Sequence, residues 1–127
     1  MTEQTGSSEG GSLSAGSSPV AAVARNDGAT VVSLAGELDL YNADAVRQTL
    51  HECAAEGPER LVVDLSGVTF IDSTALGVLI EARSELADRG AFLLAAPGLE
   101  TRRALEVSGL DRHFTVHETV DEALAPH

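Results

Sequence analysis

The chain has 127 residues, 43% hydrophobic but only 3% aromatic, with 20 acidic against 8 basic side chains and a formal net charge of −12. That is length for one domain, with a core drawn from Leu, Val, Ile and Ala and little material for a large aromatic-lined ligand pocket. The charge argues against nucleic acid, whose binding depends on neutralised phosphates, and against an anionic membrane surface; every basic residue is Arg, which removes mechanisms that need Lys, among them the P-loop, a Schiff base and a Ser-Lys pair.

Residues 1–19 are mostly Ser, Gly, Thr and Glu and cannot offset the entropy of ordering. They are expected to form a disordered tail ahead of one domain spanning 20–125. Val20 to Arg25 and Thr30 to Ala35 are β-prone runs on either side of Asn26-Asp27-Gly28, residues suited to a reversing turn with positive φ. Gly36-Glu37-Leu38-Asp39 breaks that pattern. From about Asn42, Ala43, Val46, Leu50 and Cys53 recur at helical spacing, and Gly57-Pro58 closes the helix.

Leu61-Val-Val-Asp-Leu65 reads as a central strand buried on both faces. Ser66-Gly67 loosens the chain, and Val68-Thr-Phe-Ile71 leads into Asp72-Ser73-Thr74, a cluster typical of helix starts. The helix that follows is expected to run to about Arg89, with Gly90 just past its end. Phe92 to Ala96 is a further strand, Leu99 to Val107 a helix closed by Gly109, and Phe114 to Val116 a last strand. Thr119-Val-Asp-Glu122 has the capping-box spacing of a short final helix. The alternation predicts an α/β fold: a mixed, largely parallel sheet of four to five strands with about four packed helices.

Such sheets carry their functional groups in loops at strand ends, which directs attention to Asp72 and Ser73. On the helix from Thr74, a stripe of Leu76, Leu79, Ile80, Leu86 and Ala87 is expected to face the sheet. Glu81, Ser84, Glu85 and Asp88 lie opposite. Traced back one turn, the opposite side passes through Val78, Gly77 and Thr74, predicting a small, partly apolar docking patch beside Ser73. The ordinary role of Ser or Asp here is to cap the helix. A phosphate on Ser73 would meet free backbone N–H groups and the positive end of the helix dipole, and would add roughly −1.5 to −2 charges beside Asp72.

The segments Leu34-Ala-Gly-Glu-Leu-Asp39 and Leu61-Val-Val-Asp-Leu-Ser-Gly-Val-Thr-Phe-Ile-Asp-Ser-Thr-Ala-Leu-Gly-Val-Leu79 resemble the STAS domain of bacterial anti-sigma factor antagonists. The resemblance spans roughly Val20 to Ala125, and Asp72-Ser73-Thr74-x-Leu76-Gly77 is its most specific part. It implies a phosphoacceptor at Ser73, with Thr74 as runner-up, Asp72 as acidic neighbour and Asp39 close by; with Gly77 and Val78 from the helix face traced above, these form the expected partner-binding surface. It also implies partners: an anti-sigma factor serine kinase that the unphosphorylated protein sequesters, freeing a sigma factor, and a PP2C-type phosphatase that resets the switch. One departure is Ala75, where the family usually has Gly; the fold should survive the added methyl, while the close approach of a kinase to this turn is the point it bears on.

Other chemistry is weak. His113 and His117 read as strand residues about 13 Å apart, not a metal pair, and no third ligand is near. Cys53 shares the apolar side with Val46 and Leu50 and is expected to be a buried small hydrophobe, so neither a disulfide nor a thiolate metal site arises. Arg102-Arg103 suits a solvated helix face. No Ser-His-Asp set, Gly-x-Ser-x-Gly turn or phosphate loop is present, so no catalytic residue, cofactor or enzymatic activity of its own is expected. No apolar run reaches the roughly 18 to 20 residues of a membrane helix and the start lacks a signal pattern, which makes the cytoplasm the expected location. The alternative from a different class is a STAS subunit of a membrane lipid-transport ABC assembly.

Overall fold

A computed structural model describes residues 18–126; the expected tail lies outside the described residues except for Ser18 and Pro19. The elements are β1 (Val20–Asn26), β2 (Ala29–Leu38), α1 (Ala43–Ala55), β3 (Arg60–Ile71), α2 (Ser73–Leu86), β4 (Ala91–Ala95), α3 (Leu99–Ser108), β5 (Thr115–His117) and α4 (Val120–Leu124). Short 3-10 turns occupy Ala87–Arg89 and Leu110–Arg112. The five strands form one sheet in sequence order. β1 and β2 pair antiparallel as a hairpin, and all later pairings are parallel.

The hairpin turns at Asp27 and Gly28, with φ of 51° and 84°, which is the two-residue mirror-image turn that matches strand twist. β2 does not stop at Gly36: it continues to Leu38 through register shifts, and β3 likewise continues through Ser66-Gly67 to Ile71. Each extension supplies the other's partner, since Ala35 pairs with Gly67 and Leu38 with Ile71. Gly36 takes φ +81°, and a Cβ on Gly67 would sit 3.0 Å from the Leu34 carbonyl oxygen. The glycines that look like breakers thus bend and admit a long parallel ribbon, a typical use of Gly inside strands.

α1 buries Ala43, Val46, Leu50, Cys53 and Ala54, and α2 buries Ala75, Leu76, Val78, Leu79, Ala82 and Leu86. Both sets join one core with Val32, Leu34, Leu61, Val63 and Leu94. α2 is therefore covered on two sides, by the sheet and by α1. That corrects the expected stripe: Ile80 is only half-buried and Ala87 is exposed, whereas Val78, assigned above to the partner-binding face, is 1% exposed and belongs to the core. The helix also ends earlier than expected, at Leu86, because Ala87 turns out with φ 50°. A smaller core under the other sheet face joins Val62, Leu93, Ala95 and Ala123 of α4. Arg60 holds α4 by donating to the carbonyl oxygen of Leu124 at 2.6 Å.

Cys53 is free and buried, and burial pushes its thiol pKa up. At the edge of the sheet Arg25 donates to Glu56 through Nε and Nη2, both at 2.7 Å, holding that exposed carboxyl below its usual range and fastening β1 to the end of α1. His113 is not in a strand: it follows the second 3-10 turn, with its Nε2 3.3 Å from Arg83 Nη1 and its ring edge-on to Phe114.

Candidate functional site: the loop-helix junction at Ser73

The parallel register that ends at Leu38 and Ile71 sets the segments after β2 and β3 side by side. Asp72 N–H donates to the Leu38 carbonyl at 3.0 Å. Asp72 is the N-cap of α2, with extended φ and ψ, and both of its carboxylate oxygens are used. Oδ1 accepts from Ala75 N–H at 3.0 Å, and Oδ2 accepts from Leu40 N–H at 3.1 Å. One side chain therefore starts the helix and straps the neighbouring loop to it. The backbone carbonyl of Asp72 accepts the first intrahelical bond, from Leu76 N–H.

This arrangement places Ser73 and Thr74 in the first turn of α2, not in the capping position. Both are exposed. Neither hydroxyl has a hydrogen-bond partner among the described residues, and the N–H groups of Ser73 and Thr74 are likewise without acceptors there, as expected of the first donors of a helix. The capping that is the ordinary role of a serine here falls to Asp72, so Ser73 serves no evident local structural purpose. Gly77 is half-buried one turn further, and a Cβ there would meet nothing within 4 Å. Ala75 is 2% exposed, so its methyl lies in the core and adds nothing to the surface that a partner would meet.

Asp39 works within its own loop. Its Oδ1 accepts from Tyr41 N–H at 3.0 Å and Asn42 N–H at 3.2 Å. Asn42 answers through Oδ1, which accepts from Asp39 N–H at 2.9 Å, and through Nδ2, which donates to the Glu37 carbonyl at 2.7 Å. The loop that Asp39 organises is tied to the Ser73 region through the bond from Leu40 N–H to Asp72. Leu40, 62% exposed, and Tyr41, 89% exposed, stand on this loop; they fall between the pattern break and the helical spacing that begins near Asn42, so periodicity says nothing of them. The site is a surface rather than a cleft. The groove of about 570 Å³ between α1 and α2 is lined by residues such as Arg47, His51, Ile80 and Glu81 and does not include Asp72 or Ser73. It is crossed by the Arg47–Glu81 and His51–Glu85 pairs at 3.0 and 2.5 Å.

Replacing Asp72 by Ala is expected to destabilise the protein by about 1 kcal/mol through loss of the cap, read as a lower urea midpoint at unchanged slope. Asn keeps one acceptor oxygen and caps helices about as well as Asp, so Asp72→Asn should keep the cap and recover most of that stability while losing the bond to Leu40 N–H. Equal stability of wild type and Asp72→Ala would refute the capping role.

The fold and this site define an α/β domain that displays a loop-helix junction beyond the C-terminal ends of β2 and β3, the two longest strands among the described residues. Residues 21–123 match the STAS domain model, and the chain belongs to the STAS domain family. It is 36% identical over 112 residues to the anti-sigma-F factor antagonist RsfB of Mycobacterium tuberculosis, covering 88% of this chain and 92% of that one. It is 36% identical over 81 residues to the anti-sigma-B factor antagonist of Listeria monocytogenes, covering 62% and 70%. A crystal structure of an anti-sigma factor antagonist from Mycobacterium paratuberculosis superposes with a TM-score of 0.77 at 38% identity, covering 81% of this chain and 88% of that one.

Proposed function

We propose that this chain is an anti-sigma factor antagonist whose docking to an anti-sigma serine kinase is switched by phosphorylation of Ser73. The observation that carries the reading is the division of labour at the start of α2: Asp72 caps the helix, and Ser73 is left exposed. The names of the relatives support an anti-sigma factor as the partner; its serine kinase activity is part of the proposal. Unphosphorylated, the chain holds the kinase and a sigma factor goes free. In the transfer, Ser73 Oγ bonds to the γ-phosphorus of ATP, the bond from that phosphorus to the β-γ bridging oxygen breaks, ADP leaves, and the hydroxyl proton passes to a base of the kinase. Catalysis belongs to the partner, and a PP2C-type phosphatase restores the hydroxyl by hydrolysis with water.

The modified state is locally tolerated because the phosphate meets the open N–H groups of Ser73 and Thr74 at the positive end of the helix dipole, worth about 0.3–1 kcal/mol at an exposed site. Its effect on docking is one of position. The chain already carries a net charge of −12, so roughly two further negative charges matter through their place beside Asp72 and not through the total. No helix among the described residues is long and apolar enough to cross a membrane, in keeping with a cytoplasmic partner.

The test is incubation with purified anti-sigma kinases and ATP, followed by mass mapping. Wild type should gain one phosphate on Ser73, Ser73→Ala none, and Ser73→Asp should bind the kinase about tenfold more weakly, equivalent to about 1.4 kcal/mol. Undiminished incorporation in Ser73→Ala, with the phosphate on Thr74 or elsewhere, would refute the assignment.

A further inference from the structure

A charged chain has reason to keep large apolar side chains out of water, yet Leu40 and Tyr41 stand adjacent and exposed at 62% and 89%. Tyr41 is the single tyrosine of the sequence. Neither side chain belongs to the core clusters of the described residues. The backbone beneath them is nonetheless tightly fixed. Tyr41 N–H is held by Asp39 Oδ1, Leu40 N–H by Asp72 Oδ2, and the flanking Asp39 and Asn42 by each other. Two apolar side chains with no packing role are thus presented from a pinned loop, and the Asp72 strap ties that loop to the residue before Ser73.

We infer that Leu40 and Tyr41 are the apolar anchor by which this chain grips its partner, and that the partner offers an apolar pocket flanked by basic side chains. The inference rests on the proposed function and refines it by naming the residues that supply the binding energy. Aromatic side chains are favoured interface anchors, and a backbone already pinned leaves less conformational freedom to be lost on binding. Charge complementarity sets the surroundings of the pocket. Glu37 is exposed and Asp39 and Asp72 half-buried; they lie at the end of β2, on the loop itself, and at the start of α2 that is bonded to the loop. The arginine of that region, Arg47, is already engaged by Asp44 and Glu81. An acidic rim around an apolar pair fits a basic rim around an apolar pocket and repels an acidic one. The phosphoacceptor and the anchor would then be read together, because Asp72 is bonded to the first turn of α2 and to the Leu40 backbone at once.

The experiment compares wild type, Tyr41→Ala, Tyr41→Phe and Leu40→Ser for binding to a purified anti-sigma kinase that wild type binds, with thermal unfolding of each variant alongside. Tyr41→Ala and Leu40→Ser should each weaken binding by at least tenfold with melting temperatures close to wild type, since both side chains are exposed. Tyr41→Phe should stay within about threefold of wild type. In the phosphorylation assay, Tyr41→Ala should raise KM for the protein substrate with little change in kcat, the pattern of a lost docking contact. Tyr41→Ala and Leu40→Ser variants that both bind within twofold of wild type would overturn the anchor while leaving the switch at Ser73 standing. Failure of the wild-type chain to bind any of a panel of such kinases would instead remove the functional reading, and the anchor with it.

Discussion

Leu79→Ala is expected to lower the stability of the protein by about 2–5 kcal/mol, the range for truncating a fully buried leucine. Leu79 is 1% exposed and lies on α2, which is wedged between the sheet and α1. The loss has two parts: the transfer free energy of the deleted carbons, and a cavity that neither neighbour can close, because both are held by the same core. For a domain whose total stability is of the ordinary 5–15 kcal/mol, this is a large fraction. The melting temperature should fall by at least about 8 °C, using about 4 °C per kcal/mol for a domain near 100 residues. The variant also separates fold from chemistry, since Leu79 lies near the middle of α2 and is buried, whereas Ser73 is exposed in its first turn. At a temperature where the variant is folded, phosphate incorporation at Ser73 should match wild type. A shift under about 1 kcal/mol would show that α2 is less tightly enclosed than described.

Gly90→Ala is expected to cost about 1–3 kcal/mol, more if the backbone has to move. The reason is contact, not conformation: Gly90 has φ −175° and ψ 177°, extended values that any residue adopts. A Cβ at this position would lie 2.3 Å from the Pro58 carbonyl oxygen and 3.0 Å from that of Glu59. These are backbone atoms at the entry to β3, where Ala91 N–H donates to the Glu59 carbonyl at 2.9 Å, so relief would disturb the first rung between β3 and β4. Gly77→Ala is the matched control. A Cβ there meets nothing, and Gly to Ala inside a helix gains up to about 1 kcal/mol. Opposite signs for the two substitutions in one urea series would establish the steric reading. A neutral Gly90→Ala would refute it.

Much of the fold was legible because its signals are local. Asn26-Asp27-Gly28, the apolar spacing of α1, Gly109 with its φ of 79° and Thr119 accepting from Glu122 N–H at 3.0 Å are features that neighbouring residues fix among themselves. Glu122 departs slightly from the capping box: its carboxylate accepts from Glu118 N–H, one residue before the cap. The misreadings concern residues whose fate depends on a distant partner. Gly36 and Gly67 look like strand ends, and only the pairing of β2 with β3 turns them into the joints of a longer ribbon. Val78 falls on the polar side of a helix considered alone, and only α1 packing alongside draws it inward. Gly90 is not the glycine just past α2 that its position suggests, since α2 ends at Leu86 and Gly90 follows the 3-10 turn in an extended conformation; its need for hydrogen in place of a side chain comes from Pro58, 32 positions away.

The candidate site divides the same way. The sequence by itself determined the acidic balance, the poverty in rings, the absence of lysine chemistry and the Asp72-Ser73-Thr74 start of a helix, because these are properties of composition and of adjacent residues. It left open which of the three caps that helix. The tertiary structure decided that Asp72 does, with one oxygen on the helix and the other on the loop after β2. It also decided that Leu40 and Tyr41 are exposed, on a loop bonded to Asp72, the residue before Ser73. Both outcomes follow from the parallel alignment of two strands whose paired residues are 31 to 33 positions apart, which carries Leu38 next to Ile71; no local preference of the chain contains that information, since it is set by the burial of the whole sheet.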